Sequence, residues 1–217
     1  MTDESKSTQI AIFSVESTPL DFPPPSAFVT EDYAMKVRAA IQKYGVYEGN
    51  GKTAVHVAAL QDMLSTDLVG AKKFYNGLPN ADKFKDGHER YVRTPALKRE
   101  YTERIEKAFD AKKIEQYREA DSCLSALRDN PTSRTIRGIA EVEIRAGQKH
   151  LKQQKIERDN ITACERTGEP LEPNAHAHHK IRKADDPDQA LNLDNIEVMN
   201  EDPHVAHHAN ERKIDFD

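Results

Sequence analysis

The stretch AHAHHKIRKADDPDQALNLDNIEVMNEDPHVAHH, residues 175–208, decides how this chain divides. It holds six of the nine histidines in 217 residues, grouped as His176, His178 and His179 and then as His204, His207 and His208. Neutral imidazole is the commonest nitrogen ligand for zinc, nickel and similar ions. His204 and His208 stand four residues apart, so a helix would place both on one face and aim them at one ion. A third ligand is required. A strand-like piece before the intervening loop supplies it from His178 or His179, and the alternation of a strand turns the other away.

Three elements recur here in order: the His-His pair in HAHHKI, the segment LDNI with Asn195, and the terminal HVAHH. Together they resemble the HNH, or ββα-metal, endonuclease family, most closely its colicin-type DNase subgroup. The resemblance covers residues 161–210, less than a quarter of the chain. It implies that His178, His204 and His208 are metal ligands, that His179 is the general base, and that Asn195 pins the loop so that His179 keeps its orientation. The implied chemistry is hydrolysis of phosphodiester bonds in nucleic acid, DNA by resemblance, with one divalent ion (Zn, Ni, Mg or Mn).

Three features depart from the family pattern. Cys164 is followed by Glu-Arg-Thr, so Thr167 stands where a Cys-x-x-Cys pair needs its second thiol, and no cysteine-bound structural zinc is expected. His176 stands two residues before His178, an orienting position that the colicin-type domains fill with a carboxylate. DDPDQ replaces the usual Gly-Gly of the loop.

Upstream of this module the pattern is helical. EDYAMKVRAAIQKYG places Tyr33, Val37, Ala40, Ile41 and Tyr44 on one side, with Gly45 as a stop. A second helix is predicted through KTAVHVAALQDML, and a short one through TDLVGAKKFYNGL ending near Gly77. Residues 79–94 read as a loop containing the basic, aromatic HERYVR. After Pro95, Leu97, Tyr101, Ile105, Phe109, Ile114, Tyr117, Cys123, Leu124 and Leu127 predict one long helix, broken by DNPTS. A further helix from Ser133 to Arg158 would turn Ile136, Ile139, Ala140, Ile144 and Leu151 inward. The two would form an antiparallel hairpin, a candidate surface for a homodimer or a protein partner.

The first 29 residues, with DFPPPS at 21–26, read as a disordered arm in which QIAIFSV could form a strand at a sheet edge. The chain is thus expected to be mostly α: an arm over 1–29, a helical substrate- or partner-binding region over 30–160 with a long helical hairpin, and a ββα-metal module over 161–217.

Composition supports a lean core: 37% hydrophobic against 32% charged residues and no tryptophan favour helices over a β-sandwich. Two cysteines cannot form a disulfide framework, and a cytoplasmic setting fits them best. The start shows neither an export signal nor a membrane anchor, and no membrane partner is expected.

A net charge of −5 gives no global attraction to nucleic acid. Positive charge is local: residues 72–118 carry 13 Lys or Arg against 8 Asp or Glu, and residues 134–158 seven against three. Solvated helix faces and a phosphate-tracking surface both account for this. Arg145, Lys149 and Lys152 are the candidate phosphate contacts. Two functions follow: a metal-dependent endonuclease, or a non-catalytic metal-stabilised module that binds nucleic acid or protein.

Overall fold

The computed structural model describes residues 11–211. These form two compact units, Met1–Ala140 and Glu141–Asp217. The described residues are mostly helical, with one five-stranded antiparallel sheet and one two-stranded sheet.

In the first unit, α1 (Glu31–Tyr44) starts where the Thr30 hydroxyl accepts from the Tyr33 N–H, and Glu31 and Asp32 oppose the positive end of the helix dipole. Val37, Ala40 and Ile41 are buried, with Tyr33 and Tyr44 packed at the margin of the core. The helix stops at Gly45 because the chain passes too close for a side chain. A Cβ there would lie 2.6 Å from the Ile41 carbonyl oxygen and 2.8 Å from Val15.

The sheet has the order β1-β2-β3-β5-β4, from β1 (Ile12–Ser14), β2 (Gly45–Glu48), β3 (Thr53–His56), β4 (Lys83–Asp86) and β5 (Glu89–Arg93). Tyr47, Val55 and Val92 enter the core beneath α1 and two later helices, α4 (Thr94–Lys107) and α5 (Ala111–Arg128).

Several expectations are corrected here. The helix expected through KTAVHVAALQDML is β3, a 3-10 turn at Val57–Ala59 and the single turn α2 (Leu60–Met63). β3 lies between β2 and β5, with Val55 opposite both Gly45 and Val92, and this pairing overrides local helical spacing. The short helix ending at Gly77 is present as α3 (Leu68–Gly77). The loop expected over 79–94 is mostly the β4–β5 hairpin, whose two-residue connection places Gly87 at φ 57°.

The single helix after Pro95 is two helices, because Asp110 caps α5 by accepting from the Lys112 N–H. These two form the helical hairpin: Lys98 pairs with Asp121 at 2.7 Å and Tyr101 stacks on Tyr117 at 6.4 Å, an antiparallel register. The helix expected from Ser133 to Arg158 is α6 (Pro131–Gln148) and α7 (Leu151–Asp159). Ile139, expected inward, is 57% exposed.

From residue 11 onward the arm expected to be disordered is tied down. β1 pairs with β2, Val15 is buried, and Gln42 Nε2 donates to the carbonyls of Val15, Glu16 and Thr18 at 2.7, 3.2 and 2.8 Å. Asn130 Nδ2 holds the Pro19 carbonyl at 2.9 Å. Extended proline-rich backbone makes few bonds to itself, so side chains satisfy its remaining carbonyls.

In the second unit, α7 packs on the two-stranded sheet of β6 (His176–His179) and β7 (Ile196–Met199). Leu151, Cys164, Ala175, Ala190, Ile196, Val198 and Met199 are buried. The two compact units divide at 140/141, within α6, and α7 contributes its own apolar face to the smaller unit. Its end is marked by Asn160 in the left-handed region at φ 51°. The helix α8 (Glu201–Glu211) follows β7 directly.

Candidate metal centre

β6 and α8 bring the histidines together. In β6, His178 and His179 stand opposite Glu197 and Ile196 of β7, so their side chains leave opposite faces. The first turn of α8 closes with the His204 N–H on the Asn200 carbonyl at 3.2 Å, and the helix then sets His204 and His208 one turn apart. Their Nε2 atoms lie 3.2 Å from each other. One ligand nitrogen from each of His178, His204 and His208 lies within 4.8 Å of the other two. Two nitrogens on one tetrahedral zinc, each at about 2.1 Å, would be about 3.4 Å apart. The donor set and its spacing therefore fit such an ion.

His178 is buried, and His204 and His208 are half-buried. They line a cleft of about 370 Å³ together with Gln148, Leu151, Ala177, His179, Arg182 and Lys183. Burial, then the neighbouring His176, His208 and His207, hold the His204 imidazole below its ordinary value. That keeps a ligand nitrogen neutral, the form a metal needs.

His179 Nε2 lies 2.9 Å from the Ala190 carbonyl oxygen. A carbonyl only accepts, so Nε2 carries the proton and Nδ1 keeps a lone pair. Ala190 is itself held by the loop that Asn195 ties. Asn195 Oδ1 accepts from the Ile181 N–H at 2.8 Å, and Nδ2 donates to the carbonyls of Ile181 at 2.9 Å and Gln189 at 3.2 Å. This buried amide thus closes both ends of the segment that orients His179.

His176 stacks on His204 with ring centres 4.7 Å apart and planes within 9°. His207 meets the His178 ring edge-on at 4.5 Å. Sequence spacing singles out neither contact, because each depends on the angle at which α8 crosses β6.

Cys164 is buried in a turn closed by the Gly168 N–H on its carbonyl at 2.8 Å. Burial raises the thiol, but hydrogen bonds from Thr167 and from the N–H groups of Asn200, Thr167 and Arg166 outweigh it, leaving the thiol below its ordinary value.

The expected phosphate contacts lie outside the cleft lining. Arg145 pairs with Glu141 at 2.5 Å, Lys152 Nζ donates to the Pro173 carbonyl at 3.3 Å, and Lys149 is exposed. Sequence reasoning passed over Arg182 and Lys183, although their place just after β6 was a usable signal. Arg182 grips Asp185 at 2.7 and 3.0 Å, which offsets part of the acidic loop.

No protein-family model, curated protein or solved structure matches the chain.

Proposed function

We propose that the chain is a metal-dependent endonuclease of the HNH type, hydrolysing phosphodiester bonds in nucleic acid, DNA by the resemblance of its motifs. One observation carries this reading: three histidine nitrogens converge in a cleft whose fourth histidine is oriented, through the Ala190 carbonyl, with an unprotonated nitrogen.

His178, His204 and His208 would hold one divalent ion, which when bound supplies charge stabilisation for the phosphate and its leaving oxygen. His179 Nδ1 takes the proton from the attacking water. The Ala190 carbonyl stabilises the imidazolium that results, since Nε2–H already donates to it. Lys183, in the same cleft, supplies positive charge for a phosphate.

The test is plasmid cleavage with Mg²⁺, Mn²⁺, Ni²⁺ or Zn²⁺ and an EDTA control. Cleavage that is metal-dependent and abolished in His179→Ala, with folding retained, is expected. Metal binding without cleavage would select the second reading, a non-catalytic metal-stabilised binding module, which the acidic residues 185–188 beside the cleft favour.

A further inference from the structure

A second cleft lies in the first unit, where α3 meets the β4–β5 hairpin. It measures about 360 Å³ and is lined by Val57, Leu60, Leu68, Ala71, Lys72, Tyr75, Asn76 and Arg90. No carboxylate is among these residues. Leu60, Ala71 and Tyr75 are buried and form an apolar floor, while Lys72 and Arg90 are exposed at the rim.

The cations here are set against one another. Arg90 lies directly opposite Lys85 across the hairpin, and like charges so placed weaken a strand pair. Neither Arg90, Lys85 nor Lys72 forms an ion pair with a described residue, whereas Lys98, Arg99, Arg104, Lys107 and Arg118 each hold a carboxylate. The Arg90 guanidinium rests over the Tyr75 ring at 5.9 Å, and Lys83 approaches the same ring at 5.2 Å. Lys83 is committed to the carbonyls of Tyr75 and Asn76 at 3.1 and 3.2 Å, so Lys72 and Arg90 carry the unbalanced charge.

An apolar floor, an amide at Asn76 and two cations that pair with no described carboxylate describe a receptor for a flat, largely apolar body that carries a phosphate. We infer that this cleft binds a nucleotide unit, with the base against Leu68 over the buried floor, the Asn76 amide at the base edge, and the phosphate between Lys72 and Arg90. A free mononucleotide and one residue of a single strand share this chemistry. The inference stands apart from the nuclease reading, since it uses no histidine of the second unit and no metal.

The test uses the full chain in EDTA, where no metal-dependent cleavage occurs, and the fluorescence anisotropy of a short labelled oligodeoxythymidylate. The paired variant Lys72→Ala/Arg90→Ala should bind it roughly tenfold or more weakly, and its salt slope should flatten by about 0.7 log units per tenfold salt, the value for the one phosphate that the two cations share. Both side chains are exposed and form no ion pair with a described residue, so retained folding by circular dichroism should accompany the weaker binding.

Adenosine monophosphate is then added as competitor. Displacement identifies a mononucleotide pocket, and weakened strand binding in the variant without displacement identifies a site for one residue of a strand; either supports the inference. No binding by the natural chain, an unchanged affinity and slope in the variant, or displacement by dodecanoate but not by the nucleotide would overturn it. Strand binding in EDTA with no cleavage in any metal would remove the nuclease reading alone.

Discussion

At the scale of single residues, the candidate centre is three histidine nitrogens with His179 in the same cleft. His204→Ala/His208→Ala leaves one of the three proposed ligands, so a calorimetric titration with Zn²⁺ or Ni²⁺ that shows the proposed site of about one ion per chain should lose it, with affinity falling beyond the ~100-fold typical of outer-shell losses. His179→Ala should keep that site. The His204 imidazole is held below its ordinary value, chiefly by burial, so protons compete with metal at this ligand only at lower pH than at an ordinary imidazole of about 6.5. Metal affinity should accordingly fall in acid, with uptake of protons as the ion leaves. Asn195 touches no ligand, and its buried amide acts through the 181–190 segment. Asn195→Ala should therefore retain the ion while lowering kcat by about 10–100-fold, and a shifted pH-rate profile would separate lost orientation of His179 from simple loosening.

At the scale of elements, α7 is bound into its unit by charge as well as by Leu151: Arg158 pairs with Asp194 at 2.8 Å and Lys155 approaches Glu165 at 3.8 Å. Arg158 first and Lys155 next, through hydrogen bonds, hold the Asp159 carboxyl well below its ordinary value. A depressed carboxyl contributes stability that is fully present above the unfolded value of about 3.9 and is lost as pH falls through the folded value. Asp159→Asn should lower the urea midpoint at neutral pH and flatten the loss of stability in acid; an acid limb as steep as in the natural chain would count against this assignment. α5 is held by packing. Leu124 is fully buried among the core residues of the first unit, and Leu124→Ala should cost about 2–5 kcal/mol in denaturant unfolding.

At the scale of the whole molecule, the two units draw on different sources of stability. The first has a broad apolar core beneath a five-stranded sheet. The second buries fewer large side chains, and its histidines pack on one another, His178 meeting His204 edge-on at 5.6 Å. An ion at ~100 times its Kd should stabilise the second unit by about 2.7 kcal/mol, and by nothing in His204→Ala/His208→Ala. Differential scanning calorimetry with and without Ni²⁺ measures both. With a net charge of −5, any affinity for nucleic acid depends on few local cations and should fall steeply with salt. Charge reversal at Arg145, Lys149 and Lys152 tests the helical surface: an unchanged salt slope would remove it from that role.

The sequence by itself determined what depends on near neighbours. The i, i+4 pair His204 and His208, the stripe of α1 with its stop at Gly45, the break at DNPTS and the candidate strand in QIAIFSV were all legible, because helical and strand periodicities act over a few residues. Which of His178 and His179 faces α8 was left to the resemblance, and in the structure it is His178 that meets the rings of His204, His207 and His208. Tertiary structure alone decided the rest. β3 became a strand because β2 and β5 lie on either side of it, the β4–β5 hairpin formed from a stretch that reads as loop, and α4 rather than α6 became the partner of α5. The proton of His179 is placed by a carbonyl eleven residues away, and the arm is held by Gln42 and Asn130, 24 to 111 residues from the groups they bind. Such contacts leave no local periodicity, since they arise only when distant segments exclude water together and must satisfy each other's polar groups.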